Sequence, residues 1–482
     1  MNTAIAEMAI RPARTRTAQR FFRLHLPFVA ADSAAVFLAS FAAVLIRAQW
    51  GVGVDLSFYL KLSLFIAVFL VTFGLLGLYP GLGLHPVSEL QRVARGCSLS
   101  FLLIGTTTFF MRDAEAYSRI VIALAWPLSI VAVTAARVLL RQHLSRTAWW
   151  GEQVLILGAG PAGLLAAETL RRFASLGLRP LAVLGDHDSD SPPSARSADY
   201  GGPLELAPWL AERHDIRYAL VAMPHLDSQD LARTVERYCA SFRRVVVVPN
   251  LFGVSSLGVN TLDLGGILGV EISHRLLFRT PRLIKRSCDF LLSSVGLIAL
   301  LPFLLLIALL IRLTSPGPIL FGNRRIGAGG QEFTAWKFRS MCVDAEETLR
   351  RVLVENPRLR EEWEMDQKIR NDPRVTWVGR ILRKTSLDEL PQLWNVLRGE
   401  MSLVGPRPII AGLVEKYGPN YSLYCKVRPG ISGLWQVSGR NNTTYEERVR
   451  LDEYYVRNWS VWLDLYILGK TIKVVLTGDG AY

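Results

Sequence analysis

The stretch FLLSSVGLIALLPFLLLIALLI (Phe290–Ile311) carries no charge and is long enough to cross a bilayer as a helix, at about 1.5 Å per residue. Both of its flanks are basic, with Arg282, Lys285 and Arg286 before it and Arg312, Arg324 and Arg325 after it. A crossing helix would leave one of these clusters outside, against the bias that keeps Lys and Arg on the cytoplasmic side. Pro302, near the midpoint, removes a helix hydrogen bond and forces a bend. Each limb then measures about 10–12 residues, or roughly 15–18 Å, the depth of one leaflet. The sequence predicts a helix that enters the membrane, breaks at Pro302 and returns to the same face.

The rest of the chain fits a membrane setting. Of 482 residues, 50% are hydrophobic and only 20% charged, yet the formal net charge is +14, with a mean hydropathy of +0.26. Basic and apolar together point to anionic headgroups before nucleic acid, and no aromatic-rich base-stacking platform is evident. The five cysteines (Cys97, Cys239, Cys288, Cys342, Cys425) are scattered, which argues against a disulfide framework or zinc site. Residues 1–25 read as an uncleaved basic cytosolic tail. Four apolar segments follow within 26–146: Leu26–Ile46, Phe58–Leu78, Leu90–Phe110 and Ile120–Leu140. Arg11, Arg14, Arg16, Arg20 and Arg23 precede the first, Arg92 and Arg95 open the third, and Arg137, Arg141 and Arg146 close the fourth. The other loops carry mixed charge, so both ends of the four-helix region are expected in the cytoplasm. Asp32, inside the first span, is assigned no role.

From Gly151 the texture changes. EQVLILGAGPAGLLAAETLRR reads as a buried strand, a Gly-x-Gly-x-x-Gly turn (Gly158, Gly160, Gly163) and a helix, and PLAVLGDHD as a second strand ending near Asp186. With YALVAMP and RVVVVPN further on, this βαβ pattern predicts a Rossmann-like parallel sheet over 151–275. The glycines suit close approach of a pyrophosphate to a helix N-terminus, or serve only as a remnant of the fold used for docking or regulation. A nucleotide-sugar epimerase or dehydratase using NAD at this loop is a rival reading. The Tyr-x-x-x-Lys such enzymes need occurs only at Tyr466–Lys470, in the terminal helix. A non-catalytic assembly scaffold is the other rival.

No histidine follows His274, so chemistry in the last third falls to carboxylates, hydroxyls, lysines or tyrosines. SLDELPQLWNVLRGEMSLVGPRP (Ser386–Pro408) sets Asp388 beside Glu389 and ends in Pro-Arg-Pro. Locally, Ser386 and Glu389 read as a capping box with Pro391 near the end of the first turn. Around them lies a basic field: Arg324, Arg325, Lys337 and Arg339, then Arg383, Lys384, Arg398, Arg407 and Arg428. Arginine forks clasp phosphate oxygens, and an acidic pair inside such a field makes sense if one carboxylate attacks phosphorus while its neighbour holds Mg²⁺.

The blocks IKRSCDFLLSSVGLIALLPFLLLIALLIRL, NRRIG…FTAWKFRSM, NDPRVTWVGRILRKTSLDELPQLWNVLRGEMSLVGPRP, VRPGISGLWQVSGRN and LDEYYVRNWS, in this order, resemble the bacterial monotopic phosphoglycosyl transferases. The four-span start and Rossmann-like middle resemble that family's long subgroup. The resemblance implies a membrane protein of α plus α/β class, with a catalytic domain over 282–482 and a re-entrant helix at 290–311 broken at Pro302, although Leu301 stands where the family often has serine. It implies transfer of a sugar-1-phosphate from a UDP-sugar to undecaprenyl phosphate, starting O-antigen, capsule or exopolysaccharide synthesis. Asp388 would be the nucleophile and Glu389 its Mg²⁺-binding neighbour, with Arg325, Lys337, Arg339 and Arg407 as substrate-binding cations. The ending DGAY and the segment EEWEMDQKIRNDPR favour galactose, ahead of glucose. Location in the inner membrane with both soluble parts on the cytoplasmic face, a homodimer through the middle domain and handover to downstream glycosyltransferases are further expectations. The C-terminal NWSVWLDLYILGKTIKVVL reads as an amphipathic helix, with Trp459 and Trp462 either at the membrane interface or in the core.

Overall fold

The computed structural model describes residues 17–50, 65–110, 119–147, 149–185, 200–248, 259–263, 268–272, 276, 279–355, 360, 372–438 and 444–477. Asp186, residues 58–64 of the expected second span and most of 356–371 lie outside these. The chain divides into two compact units, Met1–Phe252 and Gly253–Tyr482.

The first unit begins with helices α1 (Thr17–Ala48), α2 (Ile66–Leu75), α3 (Pro86–Phe110) and α4 (Arg119–Leu144). By length and composition α1, from Phe22, and α4 can each cross a membrane. The described α2 is a shorter apolar helix, and α3 has the length but carries Glu89, Arg92 and Arg95 in its first half. Outward residues such as Leu38, Leu102, Val131 and Leu139 are exposed, as a lipid-facing surface requires. The interior holds a charge cluster instead. Arg137 of α4 is 1% exposed and forks onto Asp32 of α1, with Nε to Oδ1 at 2.9 Å and Nη2 to Oδ2 at 2.6 Å. Its Nη1 donates to Glu89 of α3 at 2.9 Å, and Tyr79 donates its hydroxyl to Asp32 at 2.8 Å. Arg141 also pairs with Glu89, at 3.0 Å. Arg137 and Arg141, expected to mark the cytoplasmic end of the fourth span, are thus buried and committed to carboxylates. A paired buried ion is tolerated where an unpaired one is not.

Behind the bundle stands a parallel sheet in the order β3-β2-β1-β4-β5, built from β1 (Glu152–Leu157), β2 (Leu178–Leu184), β3 (Tyr200–Gly202), β4 (Tyr218–Val221) and β5 (Arg244–Val247). Helices α5 (Pro161–Arg172), α6 (Leu206–His214) and α7 (Ser228–Tyr238) connect the strands. Leu155, Leu157, Leu184 and Val221 pack toward α6 and α7, while Val154, Ile156 and Val183 pack toward Ala167 of α5. Both faces are therefore covered, which is why the strands read as unbroken apolar runs. Bundle and sheet are joined through Arg141 Nη1 to the Ser175 carbonyl (3.1 Å) and Gly83 N to the Leu176 carbonyl (2.8 Å).

In the second unit a hairpin of β6 (Val259–Asp263) and β7 (Leu268–Ile272) comes first. It is antiparallel and outside the parallel sheet, so the Rossmann-like part ends before the expected residue 275. Next is α8 (Arg279–Thr314), which runs as one helix through Pro302. The break expected there does not end the element, because proline deletes a single N–H donor and the ladder resumes beyond it. The hairpin of β8 (Leu320–Ile326) and β9 (Glu332–Phe338) follows. After it come α9 (Ala345–Glu355), α10 (Trp377–Thr385), α11 (Gln392–Arg398), the parallel pair β10 (Ser402–Val404) and β11 (Gly430–Ser432), and helices α12 (Tyr445–Asn458) and α13 (Val461–Thr477). Trp459 is buried and donates its indole N–H to Asp464 at 3.0 Å, so it belongs to the core and not to a membrane surface.

Replacing Arg137 with Met leaves Asp32 and Glu89 without their shared cation. The expected loss is about 3–5 kcal/mol, visible as a large drop in the thermal midpoint of detergent-solubilised protein. An unchanged midpoint would show that the cluster does not hold the bundle together.

Candidate active site

Asp388 and Glu389 sit in a one-turn 3-10 helix, Leu387–Glu389, wedged between α10 and α11. Thr376 caps α10, its hydroxyl accepting the Gly379 N–H at 3.0 Å. Gly379 lets this helix lie directly on the chain leaving β9, since a Cβ there would come within 2.0 Å of the Ser340 carbonyl oxygen. The helix ends at Ser386 in the left-handed region (φ 55°), a conformation that costs a non-glycine residue about 1–2 kcal/mol. The capping box expected from Ser386 and Glu389 is therefore absent. Ser386 terminates the preceding helix, makes no side-chain cap bond, and leaves Glu389 to pair with Lys337 Nζ of β9 at 2.5 Å. Leu387 and Leu390, on either side of the acids, pack with Ile307 and Ile311 of α8, Phe338, Val378 and Leu382. The turn is thus anchored by its apolar residues, and the two carboxylates are not used up in capping.

Burial raises the Asp388 carboxyl above the ordinary range, the charges of Lys337 and Arg383 pull it back, and Glu389 pushes it up. Burial, then the nearby charge of Arg407, lowers Arg325, while Glu389 acts the other way. Asp388, Glu389, Lys337, Arg325 and Arg407 thus share one electrostatic neighbourhood. Arg383, which the sequence placed only among general basic residues, joins them. Arg407 lies with its guanidinium 5.6 Å from the Trp435 ring, and Arg448 approaches the same ring at 4.7 Å. Arg339 does not join. It is buried, and its Nη1 and Nη2 donate to the carbonyls of Pro316 and Ser315, both at 2.7 Å, closing the loop after α8. Those two bonds make Arg339 a clamp on that loop.

Residues without a sequence signal set the spacing. Asn395, buried in α11, accepts the Trp336 N–H (3.1 Å) and donates to the Thr334 carbonyl (2.7 Å) and to Glu400 (2.6 Å), holding the Lys337 strand against the helix after the acids. Asp289 of α8 accepts from Ser402 Oγ (2.8 Å) and the Leu403 N–H (3.1 Å), fixing the strand that leads into Pro406-Arg407-Pro408. Arg286 donates to the last carbonyls of α11, Val396 (2.5 Å) and Leu397 (2.7 Å). In the other unit the glycine turn has structural explanations. Gly158 adopts φ 120°, and a Cβ on Gly163 would fall 1.8 Å from the Gly158 carbonyl oxygen. Gly160, the N-cap of α5, faces open space.

The family description Bacterial sugar transferase matches residues 280–478, and the description CoA-binding domain matches residues 74–249. A UDP-galactose-lipid carrier transferase of Erwinia amylovora is 38% identical over 371 residues, 76% of each chain. This chain belongs to the bacterial sugar transferase family. The transferase is also 38% identical over 378 residues to an undecaprenyl-phosphate galactose phosphotransferase of Salmonella typhimurium, covering 76% of this chain and 77% of the relative. A UDP-glucose:undecaprenyl-phosphate glucose-1-phosphate transferase of Escherichia coli is 32% identical over 412 residues, 83% of this chain and 84% of that one. The chain is a phosphoglycosyl transferase and a membrane protein, and the acid-and-arginine neighbourhood lies inside the matched transferase region.

Among the described residues no group of three or more His, Cys, Asp or Glu side chains could hold a metal. Two adjacent carboxylates still suit Mg²⁺, which keeps most of its waters and completes its shell with substrate phosphates.

The Asn395→Ala variant strands the Trp336 N–H and the Thr334 carbonyl. At about 1–3 kcal/mol for each unpaired buried group, its thermal midpoint should fall by several degrees. A wild-type midpoint would remove Asn395 from the frame of the site.

Proposed function

We propose that this transferase moves a sugar-1-phosphate, galactose-1-phosphate first among candidates, from a UDP-sugar to undecaprenyl phosphate, giving undecaprenyl-diphosphate-sugar and UMP. The observation that carries this reading is an acidic pair freed from capping and half-buried among Lys337, Arg383, Arg325 and Arg407. The two galactose-named relatives favour that sugar, and the Escherichia coli relative makes glucose the second candidate.

In the proposed first step an Asp388 carboxylate oxygen bonds to the β-phosphorus of the UDP-sugar. The bond from that phosphorus to the bridging oxygen breaks, and UMP leaves with the electron pair. In the second step a phosphate oxygen of undecaprenyl phosphate attacks the same phosphorus, and Asp388 departs as a carboxylate. Arg325 and Arg407 supply forks for phosphate oxygens, and fixed cations stabilise the charge that builds up at the diphosphate. Asp388 and Glu389 would hold Mg²⁺, which would add further neutralisation. The Lys337 charge favours the ionised form of Asp388, and its ammonium pairs with Glu389.

The membrane placement we propose is four N-terminal spans, α1 to α4, followed by a re-entrant α8, with both soluble parts at the cytoplasmic face of a bacterial inner membrane. Both ends of α8 support re-entry. Asp289 is bonded to β10, while Ile307 and Ile311 pack on Phe338, Val378 and Leu382 of the same unit. Along an unbent helix Asp289 would lie about 27 Å from Ile307 and about 33 Å from Ile311. A perpendicular crossing would put them on opposite sides of a hydrocarbon core about 30 Å thick, which one polar body cannot do. Between them Leu291, Leu292, Val295, Ile298, Leu301 and Leu305 are exposed, a surface for acyl chains. The product would open O-antigen, capsule or exopolysaccharide synthesis and pass to downstream glycosyltransferases. A homodimer through the Rossmann-like part remains part of the proposal.

With purified protein, Mg²⁺ and undecaprenyl phosphate, Asp388→Asn should abolish UMP release and Glu389→Gln should reduce it severely; wild-type rates from Asp388→Asn would sink the mechanism. The Asp388 carboxyl must be ionised to attack, so the rate falls as pH drops through its raised pKa. Lys337→Met removes a charge that lowers that pKa, so the acid limb of the rate profile should move to higher pH. A limb that stays put would disconnect Lys337 from the nucleophile. Single cysteines placed at the two ends of Phe290–Ile311 should both react with a membrane-impermeant thiol reagent only after the cytoplasmic face is opened, and reaction of either from outside restores a crossing helix.

A further inference from the structure

Trp435 is buried, yet two arginines from different elements reach its ring. The Arg407 guanidinium lies 5.6 Å from the ring centroid, and that of Arg448 lies 4.7 Å from it. Backbone packing dictates this meeting. Strands β10 and β11 pair in parallel, and at their ends the Gly405 N–H donates to the Ser432 carbonyl (2.9 Å) and the Gly430 N–H to the Pro406 carbonyl (2.8 Å). Glycines allow so close an approach. A Cβ on Gly405 would meet the Arg428 carbonyl oxygen at 2.6 Å, and one on Gly433 would meet the Gly405 carbonyl oxygen at 2.7 Å. The Pro-Arg-Pro turn is therefore seated against the chain that leads into the one-turn helix Trp435–Val437. Arg448 comes with α12. Thr444 and Glu447 close a capping box, at 3.2 and 3.0 Å, that starts this helix and sets the half-buried Arg448 at the end of its first turn. The next residue, Val449, is buried in one cluster with Ile409, two residues after Arg407.

The two like charges thus lie within about 10 Å of each other, one Debye length at moderate salt, and they repel. The indole offsets part of this, since its face attracts both cations. It uses up none of the five N–H donors that each guanidinium carries. We infer that Arg407 and Arg448 form a two-pronged clamp for the diphosphate of the donor, one guanidinium to each phosphate, with Trp435 as the positioning residue that sets their spacing. The inference rests on the proposed role of Arg407 in phosphate binding and adds Arg448 to it. A diphosphate carries anionic oxygens on two phosphorus atoms, so it can occupy both forks at once, and its charge relieves the repulsion between them. UMP has a single phosphate and fills only one fork. The clamp therefore holds the intact donor and loosens its grip on the nucleotide once the bond to the bridging oxygen has broken.

The test is calorimetric binding of UDP and of UMP, with Mg²⁺, to full-length protein in detergent, for Arg448→Gln, Arg407→Gln, Trp435→Leu and Trp435→Phe. Glutamine keeps part of the arginine stem and removes the charge and the fork, so the thermal midpoints of the arginine variants should hold. Each arginine change should weaken UDP about tenfold, the scale of one hydrogen bond to a charged group, while UMP should be weakened by only one of the two. Trp435→Leu should weaken UDP by a similar factor, and Trp435→Phe, which keeps a ring face, should recover most of it. Wild-type UDP binding by Arg448→Gln, or UMP weakened as much as UDP by both arginine changes, overturns the inference while the role of Arg407 stands. An Arg448→Gln effect confined to the KM for undecaprenyl phosphate assigns the residue to the acceptor and also overturns the donor clamp. Equal losses in Trp435→Leu and Trp435→Phe overturn the positioning role of the ring. Wild-type UDP binding by Arg407→Gln overturns the role of Arg407 itself, and the inference falls with it.

Discussion

At the foot of α8, Lys285, Arg286 and Asp289 carry out different tasks. Arg286 receives the C-terminal carbonyls of α11, Asp289 receives the start of β10, and Lys285 pairs with Asp464 of α13 at 2.7 Å. Asp464 passes the connection on, accepting the Tyr455 hydroxyl at 2.8 Å, and Tyr455 also donates to the Val404 carbonyl at 2.9 Å. The circuit from helix to strand and back is closed. The acids precede α11 and the Pro-Arg-Pro turn follows β10, so their mutual placement depends on this end of α8. A buried carboxylate such as Asp289 is stable only because its hydrogen bonds replace the water it loses.

Charge at the site is balanced by layers. The acids meet Lys337 and Arg383, and the next layer of guanidiniums, Arg325 and Arg407, is itself a repulsive pair. An enzyme that receives a diphosphate needs an excess of cations at the moment of binding and must survive that excess when empty. Stacking on Trp435 helps, since a guanidinium over an indole face is attracted by the ring quadrupole and keeps its hydrogen-bond donors free at the edge.

The periodic features were readable from sequence alone. Apolar runs announced the membrane helices, buried strands and glycines announced the parallel sheet, and the acidic pair stood out against its basic surroundings. What escaped depends on tertiary approach. Whether Ser386 caps a helix or ends one is decided by its φ, and that follows from how closely Gly379 lets α10 dock on Ser340. Arg339 belongs to a basic string, and nothing local distinguishes a phosphate ligand from a clamp on two carbonyls. Asp289, Asn395 and Asp464 are single polar residues whose partners come from distant elements, and Asp32 meets a partner 105 residues away. Helix α8 was anticipated as two limbs meeting at Pro302, and both limbs belong to one helical element that contains the proline.

The cluster of Asp32, Glu89, Arg137 and Arg141 also bears on how the chain is made. A ribosome delivers α1 to the insertion machinery long before α4 exists. A lone carboxylate entering hydrocarbon carries a penalty of about 2.5–3.5 kcal/mol, so in the proposed topology α1 by itself would be a reluctant occupant of the lipid. Arg137 arrives with the same handicap and the opposite sign. Pairing offsets both penalties, so in the proposed topology the first helix depends on the last, and a chain that lacks α4 would leave Asp32 without its arginine.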